Sequence, residues 1–221
     1  NTAYDSVEAE ISEMLSSRIL EYVKTKKITV NSYFQGCWAI LISTIEQSND
    51  VVSGYVSSGR DMFIEEMLEN VGLFTQIVPL RTKLDDNEYT DTYFVNVHRH
   101  INRVNQNSFL MIPVIENIVG APKNYFEQIS YAKTLTLIRY PAEKSGNSEF
   151  SVENVISDTS VNVPLRVYVI IGKSIKFKLQ YSSRYRKEAV SDMLGRLVNI
   201  SKNGIQNHLI ENMKLLRKED V

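Results

Sequence analysis

The chain has 221 residues, of which 43 % are apolar and 10 % aromatic, enough for a real core in one large domain or two small ones. Twenty-five basic residues stand against 26 acidic ones, and the net charge of −1 leaves no global field to favour nucleic acid or an anionic membrane. No apolar run reaches the length of a membrane span, no signal peptide is seen, and a lone cysteine, Cys37, cannot form an internal disulfide, so the expected setting is the cytoplasm.

Val7, Ala9 and Ile11 alternate with polar residues and predict an opening strand, although Val7, Ile11 and Met14 also fit a helix. The strand is preferred because Ser12 then caps a helix carrying Leu15, Ile19, Tyr22 and Val23 that ends near Lys24, Lys26 and Lys27. A second helix opens at Thr29 or Asn31 and runs to about Gln47. It is apolar almost all round, with Phe34, Cys37, Trp38 and Leu41 among its residues, and such a helix belongs in the middle of a domain. A strand over 51–56 follows, then a turn signal at Ser58-Gly59, a polar and acidic segment over 61–70, a strand over 76–83 and a turn at Asp85-Asp86-Asn87. Thr90 to Asn105 reads as a helix with Tyr93, Phe94, Val97, Ile101 and Val104 on one face. A short helix over 112–119 is stopped by Gly120-Ala121-Pro122. Strands are expected over 134–140, 165–171 and 175–181, the last two joined as a hairpin at Gly172-Lys173, with a final helix from Lys187 to about Ile200. Ile205, Leu209, Ile210, Met213 and Leu216 give the tail over 204–221 a helical spacing. Strands alternating with helices imply a mixed sheet covered by helices.

Chemistry-bearing patterns are few. His98 and His100, two apart on a helix, point about 200° from each other and cannot share one metal ion, so they read as solvated positions. His208 has no acid or nucleophile that the sequence places beside it. Cys37 sits among apolar residues, which raises rather than lowers a thiol pKa. Glu65, Glu66 and Glu69 read as a solvated face rather than an acid–base pair. No glycine falls in a phosphate-cradling pattern, and the aromatics are not interleaved with basic residues as base stacking requires. No catalytic and no metal-binding residues are expected.

One ordered set of blocks is more informative. Ser58-Gly59-Arg60 is followed by Val71-Gly72-Leu73-Phe74-Thr75-Gln76 and Arg81, and later by Asp158-Thr159-Ser160-Val161-Asn162-Val163-Pro164-Leu165. These resemble the S-G-R, V-G-x-F-V-N-T-x-x-x-R and R-D-x-S-R-N-P-L motifs of the condensation domains of nonribosomal peptide synthetases, which join carrier-bound aminoacyl groups through an amide bond. Asn105-Gln106-Asn107 stands where the family has H-Q-D-Y-P-F-E, but the aromatic and the acid do not follow. The resemblance runs from about Glu10 to about Asn203. The family's H-H-x-x-x-D-G signature lies in the N-terminal half, and this chain has neither a His-His nor an Asp-Gly pair. It therefore resembles the C-terminal lobe alone.

The resemblance implies an α/β fold, one lobe of the type named after chloramphenicol acetyltransferase, over residues 1–203, with 204–221 a helical tail or linker towards an adenylation domain. It implies a wall of the tunnel into which two phosphopantetheine arms of carrier proteins reach, with no cofactor bound directly. Ser58, Gly59, Arg60, Gly72, Phe74 and Arg81 match the family, whereas Gln76 adds a methylene to its Asn and Ile77 lacks the hydroxyl of its Thr. For Arg81 a structural salt bridge is as good a reading as substrate contact. The implied partners are the N-terminal lobe, peptidyl carrier domains and the adenylation domain, without nucleic acid or membrane. The polar segment from Pro141 to Val163 corresponds to a latch strand that pairs with the other lobe, and Phe150 to Ile156 offers a route to self-association. Two readings remain: half of a condensation domain or a related ester-forming or epimerising domain, and a non-catalytic interaction module with the same lobe.

Overall fold

The computed structural model describes residues 4–59, 72, 74–108, 110, 112–126, 133–139 and 164–215. Strand β1, Tyr4–Ile11, leads into helix α1, Glu13–Thr25, where the Ser12 hydroxyl accepts the Leu15 N–H, as its position before the apolar period requires. Helix α2, Val30–Glu46, is capped by Thr29, whose side chain accepts from Ser32 N–H, and ends at Gln47 in the left-handed conformation. Strands β2, Asp50–Ser57, and β3, Gln76–Lys83, follow, then helices α3, Thr90–Gln106, and α4, Ile112–Val119. Strands β4, Thr134–Arg139, β5, Leu165–Ile171, and β6, Ile175–Ser182, precede helix α5, Lys187–Asn203, a 3-10 turn over Gly204–Gln206 and helix α6, Ile210–Leu215.

The strands form one six-stranded mixed sheet in the order β1-β6-β5-β4-β2-β3. β2, β4 and β5 run parallel, and the β5–β6 hairpin, β1 and β3 add antiparallel neighbours. Ile171 faces Ile175, so Gly172, Lys173 and Ser174 make the hairpin connection, one residue more than the turn read from the sequence. Side chains alternate across a strand. Val167, Val169, Phe177 and Leu179 are buried on the face where the Phe34 ring of α2 meets Phe177 at 5.6 Å between centroids. Arg166, Tyr168, Ile170, Lys176 and Lys178 occupy the opposite face.

Helix α2 has Tyr33, Phe34, Cys37, Trp38, Ile40 and Leu41 wholly buried, which is why it reads as apolar all round. Its contacts with α3 and α5 are aromatic and tight: Tyr33 stacks on Phe94 at 4.5 Å and its hydroxyl donates to the Ser201 carbonyl at 2.6 Å. Gly36 lets α3 approach, because a Cβ there would stand 2.8 Å from the Phe94 ring. Past the expected lobe boundary at 203 the chain stays on this core. Ile210 and Met213 are buried, Thr90 N–H donates to the His208 carbonyl, and Ile210 N–H to the Glu88 carbonyl. Residues 204–215 thus pack as part of the same unit. Among the described residues no helix is long and apolar enough to cross a membrane.

Candidate functional site

The carboxyl end of β2 and the amino end of β3 bring together most of the sequence-selected residues. Ser57 pairs with Gln76 in the antiparallel register, so the two blocks, far apart in sequence, share one end of the sheet. Gly59 turns the chain out of β2 with φ +66°, a conformation that glycine adopts without strain. Its missing side chain matters twice over, since a Cβ there would overlap the Phe74 carbonyl oxygen and lie 3.1 Å from the Phe74 Cβ. Gly72 packs under the Phe74 ring, where a Cβ would stand 3.1 Å from two ring carbons. Phe74 therefore rests on both glycines. Ser58 is exposed beside them.

The Gln76 side chain turns to the end of α3, where its amide nitrogen donates to the Ser108 carbonyl. The longer amide, which departs from the family's Asn, thus ties β3 to the segment that follows Asn105-Gln106-Asn107. Ser108 was not selected from the sequence, yet it is buried, and among the described residues neither its hydroxyl nor the Asn105 side-chain oxygen has a hydrogen-bond partner. The signal for it was its place directly after the stretch aligned with H-Q-D-Y-P-F-E.

Arg81 is not part of this cluster. It lies five residues along β3, roughly 17 Å from Gln76 at strand rise and on the other face of the sheet. Its Nε and Nη2 donate to the two Asp50 oxygens at 2.8 and 2.6 Å, and its side chain is 61 % exposed. The guanidinium holds the Asp50 carboxyl below the usual carboxylate range. That is the structural salt bridge, at a place open to solvent. Arg60 lies outside the described residues, as do 61–71, the block from Asp158 to Val163 and the expected latch from Pro141 to Val163.

Both histidines of α3 are half-buried, where the sequence suggested solvated positions. His98 Nδ1 lies 2.9 Å from the Ser32 hydroxyl and Nε2 3.2 Å from the Asn102 amide. Burial holds both His98 and His100 below the usual imidazole range, and the Arg103 charge adds to the effect at His100. The Ser32 hydroxyl is itself wholly buried and bonded to Thr29, so this Ser–His contact fastens α3 to the start of α2 and offers no substrate access. Burial pushes the Cys37 thiol up to about 12. Among the described residues no group of His, Cys, Asp and Glu could hold a metal ion. The site has backbone turns, an aromatic ring and an amide. Among the described residues it has no general acid or base of its own.

A family model described as Condensation domain matches residues 1–220. Gramicidin S synthase 2 of Brevibacillus brevis is 23 % identical over 227 residues, an alignment that covers 100 % of this chain and 5 % of that protein. Bacitracin synthase 3 of Bacillus licheniformis is 22 % identical over 201 residues, covering 90 % of this chain and 3 % of its own length. The chain thus spans a small part of the curated relatives it matches. Among solved structures, the condensation domain from the Monacolin K polyketide synthase MokA superposes with a TM-score of 0.76 at 15 % identity, covering 94 % of this chain and 48 % of that one. The X-domain from teicoplanin biosynthesis gives 0.76 at 14 % identity, covering 97 % and 50 %. These neighbours have the chloramphenicol-acetyltransferase-like fold, with the same mixed sheet covered by helices.

Proposed function

This chain belongs to the condensation domain family, and we propose that it is the C-terminal half of such a domain in a nonribosomal peptide synthetase. In this reading it forms one wall of the tunnel in which carrier-bound aminoacyl or peptidyl groups are joined by an amide bond. The observation that carries the reading is coverage: the match takes in 94 % of this chain but 48 % of a condensation domain of known structure. The sequence agrees, since it has neither the His-His nor the Asp-Gly pair of the catalytic signature.

The chemistry follows from what the site holds. Amide formation needs a group that orients or deprotonates the attacking amine, and such a group must lie within hydrogen-bond reach of it. The cluster of Ser58, Gly59, Gly72, Phe74 and Gln76 offers none, so its work is to shape and to position. Gly59 and Gly72 let Phe74 pack closely against the turn, the Phe74 ring gives an apolar surface for a phosphopantetheine arm, and Gln76 fixes the β3–α3 junction through Ser108. The phosphopantetheine arms belong to carrier proteins and are substrate-bearing partners, not groups resident in this chain. The adjoining partners in this reading are the histidine-bearing half, peptidyl carrier domains and an adenylation domain.

Reading the parent gene outwards tests the proposal. An H-H-x-x-x-D-G sequence upstream and an adenylation domain downstream are expected. A parent protein without any histidine-bearing half would overturn it in favour of a non-catalytic module.

A further inference from the structure

We infer that Arg166 is a seat for a carboxylate supplied from outside the described chain. Arg166 opens β5 on the sheet face away from α2, between Thr134 of β4 and Gln180 of β6. It is 8 % exposed. A guanidinium cannot shed its charge, and a buried cation is costly unless it is paired. Yet none of the ion pairs among the described residues includes it. Among the described residues its one hydrogen bond runs from Nη1 to the Tyr168 hydroxyl at 3.0 Å, with the guanidinium 5.6 Å from the centre of that ring, and its buried Nε has no partner there.

The edge left over is the informative one. Tyr168 takes Nη1 and supports the fork from one side, which leaves the Nε–Nη2 edge. That is the edge with which Arg81 holds both oxygens of Asp50 in this same chain. Two parallel N–H donors match the two oxygens of a carboxylate, and the pairing is strong where water is excluded. Arg166 is therefore a bidentate seat for an acid, held in place by its hydrogen bond to the Tyr168 hydroxyl and its cation–π contact with that ring. It is distinct from the Gly59–Phe74–Gln76 cluster. Thr134, at the same level as Arg166, is aligned with Gly54 of β2, about 10 Å before Ser57 at strand rise, and Ser57 and Gln76 lie on the opposite face.

The acid is either a small carboxylate or the side chain of an adjoining polypeptide, and one set of melts separates these sources. The wild-type chain, Arg166→Met and Arg166→Lys are melted in chloride buffer, then with acetate, or with a blocked Ala-Glu-Ala peptide, at matched ionic strength. In chloride alone Arg166→Met is expected to melt higher than wild type, because it removes an uncompensated buried charge. Acid is expected to raise the wild-type Tm by ligand linkage, to leave Arg166→Met unmoved and to raise Arg166→Lys less, since an ammonium lacks the fork. A larger rise with the peptide assigns the seat to a protein side chain, and a rise at least as large with acetate assigns it to a small acid. A lower Tm for Arg166→Met in chloride, or acids that do not separate wild type from Arg166→Met, would overturn the inference.

Discussion

Replacing Gly59 by Ala tests whether the turn after β2 and the Phe74 backbone are packed as one piece, and Gly120 supplies the control. Both glycines have φ +66°, so alanine meets the same left-handed conformation at each. That conformation costs an L-residue about 1–2 kcal/mol, offset by about 0.4–1 kcal/mol because the unfolded chain loses freedom. The net for Gly120→Ala is about 0.5–1 kcal/mol, since nothing lies within 4 Å of a Cβ there. At Gly59 the new Cβ meets the Phe74 carbonyl oxygen and also stands 2.9 Å from its carbon. Backbone cannot swing aside as a side-chain tip can, so an overpacking cost of about 1–3 kcal/mol is added. Gly59→Ala is thus expected to destabilise the chain by about 1.5–4 kcal/mol. Urea unfolding measures both variants, with the midpoint shift read at constant slope. Equal costs, within about 0.5 kcal/mol, would refute the contact between the two motif blocks.

Other variants and probes reach the core and its charges. Trp38→Ala is expected to lose about 3–5 kcal/mol, because the ring is wholly buried, and a loss under about 1 kcal/mol in the same titration would contradict that placement. Cys37, buried and with its thiol pushed up to about 12, is expected to react with a disulfide reagent only as fast as the chain unfolds, whereas prompt labelling under native conditions would disprove its enclosure. His98 and His100 resist protonation in the fold, so the unfolded chain binds more protons in mild acid. Stability is therefore expected to fall as pH drops through about 6.5, and a double His98→Asn/His100→Asn variant should show a flatter slope between about pH 7.5 and 5.5. An unchanged slope would show that neither ring carries the effect.

Much of this architecture was legible because local signals and tertiary packing agree. Ser12 and Thr29 cap the helices that their positions announce, and the all-round apolar pattern of α2 reports its place under the sheet. The turn at Ser58-Gly59 was read from the sequence, whereas the meeting of Gly59 and Gly72 at Phe74 appears only in the fold. Other features depend on contacts that periodicity cannot carry. Arg166 sits at an alternating position that ordinarily faces water, and only the packing of the sheet reveals its burial. Helix α4 exposes Val114, Ile118 and Val119 and buries Glu116, whose carboxylate accepts the Asn124 and Phe126 N–H groups; the local loop overrides the helical pattern. Arg81 matched a motif yet lies apart from the cluster, because an odd spacing of five residues along β3 carries it roughly 17 Å away and to the other face of the sheet. The Ser32–His98 contact joins residues 66 apart, so a solvated reading of His98 was the natural one.

The most direct test of the central claim is turnover of loaded carrier proteins by the 221-residue chain. Donor and acceptor aminoacyl carrier proteins are mixed with the chain, and amide product is followed by mass spectrometry. No product above the buffer control is expected, because the Gly59–Phe74–Gln76 cluster, proposed to position substrate, holds no general base. Amide formation above buffer would show that the chain carries its own catalytic group, and the reading of it as half of a condensation domain would have to be abandoned.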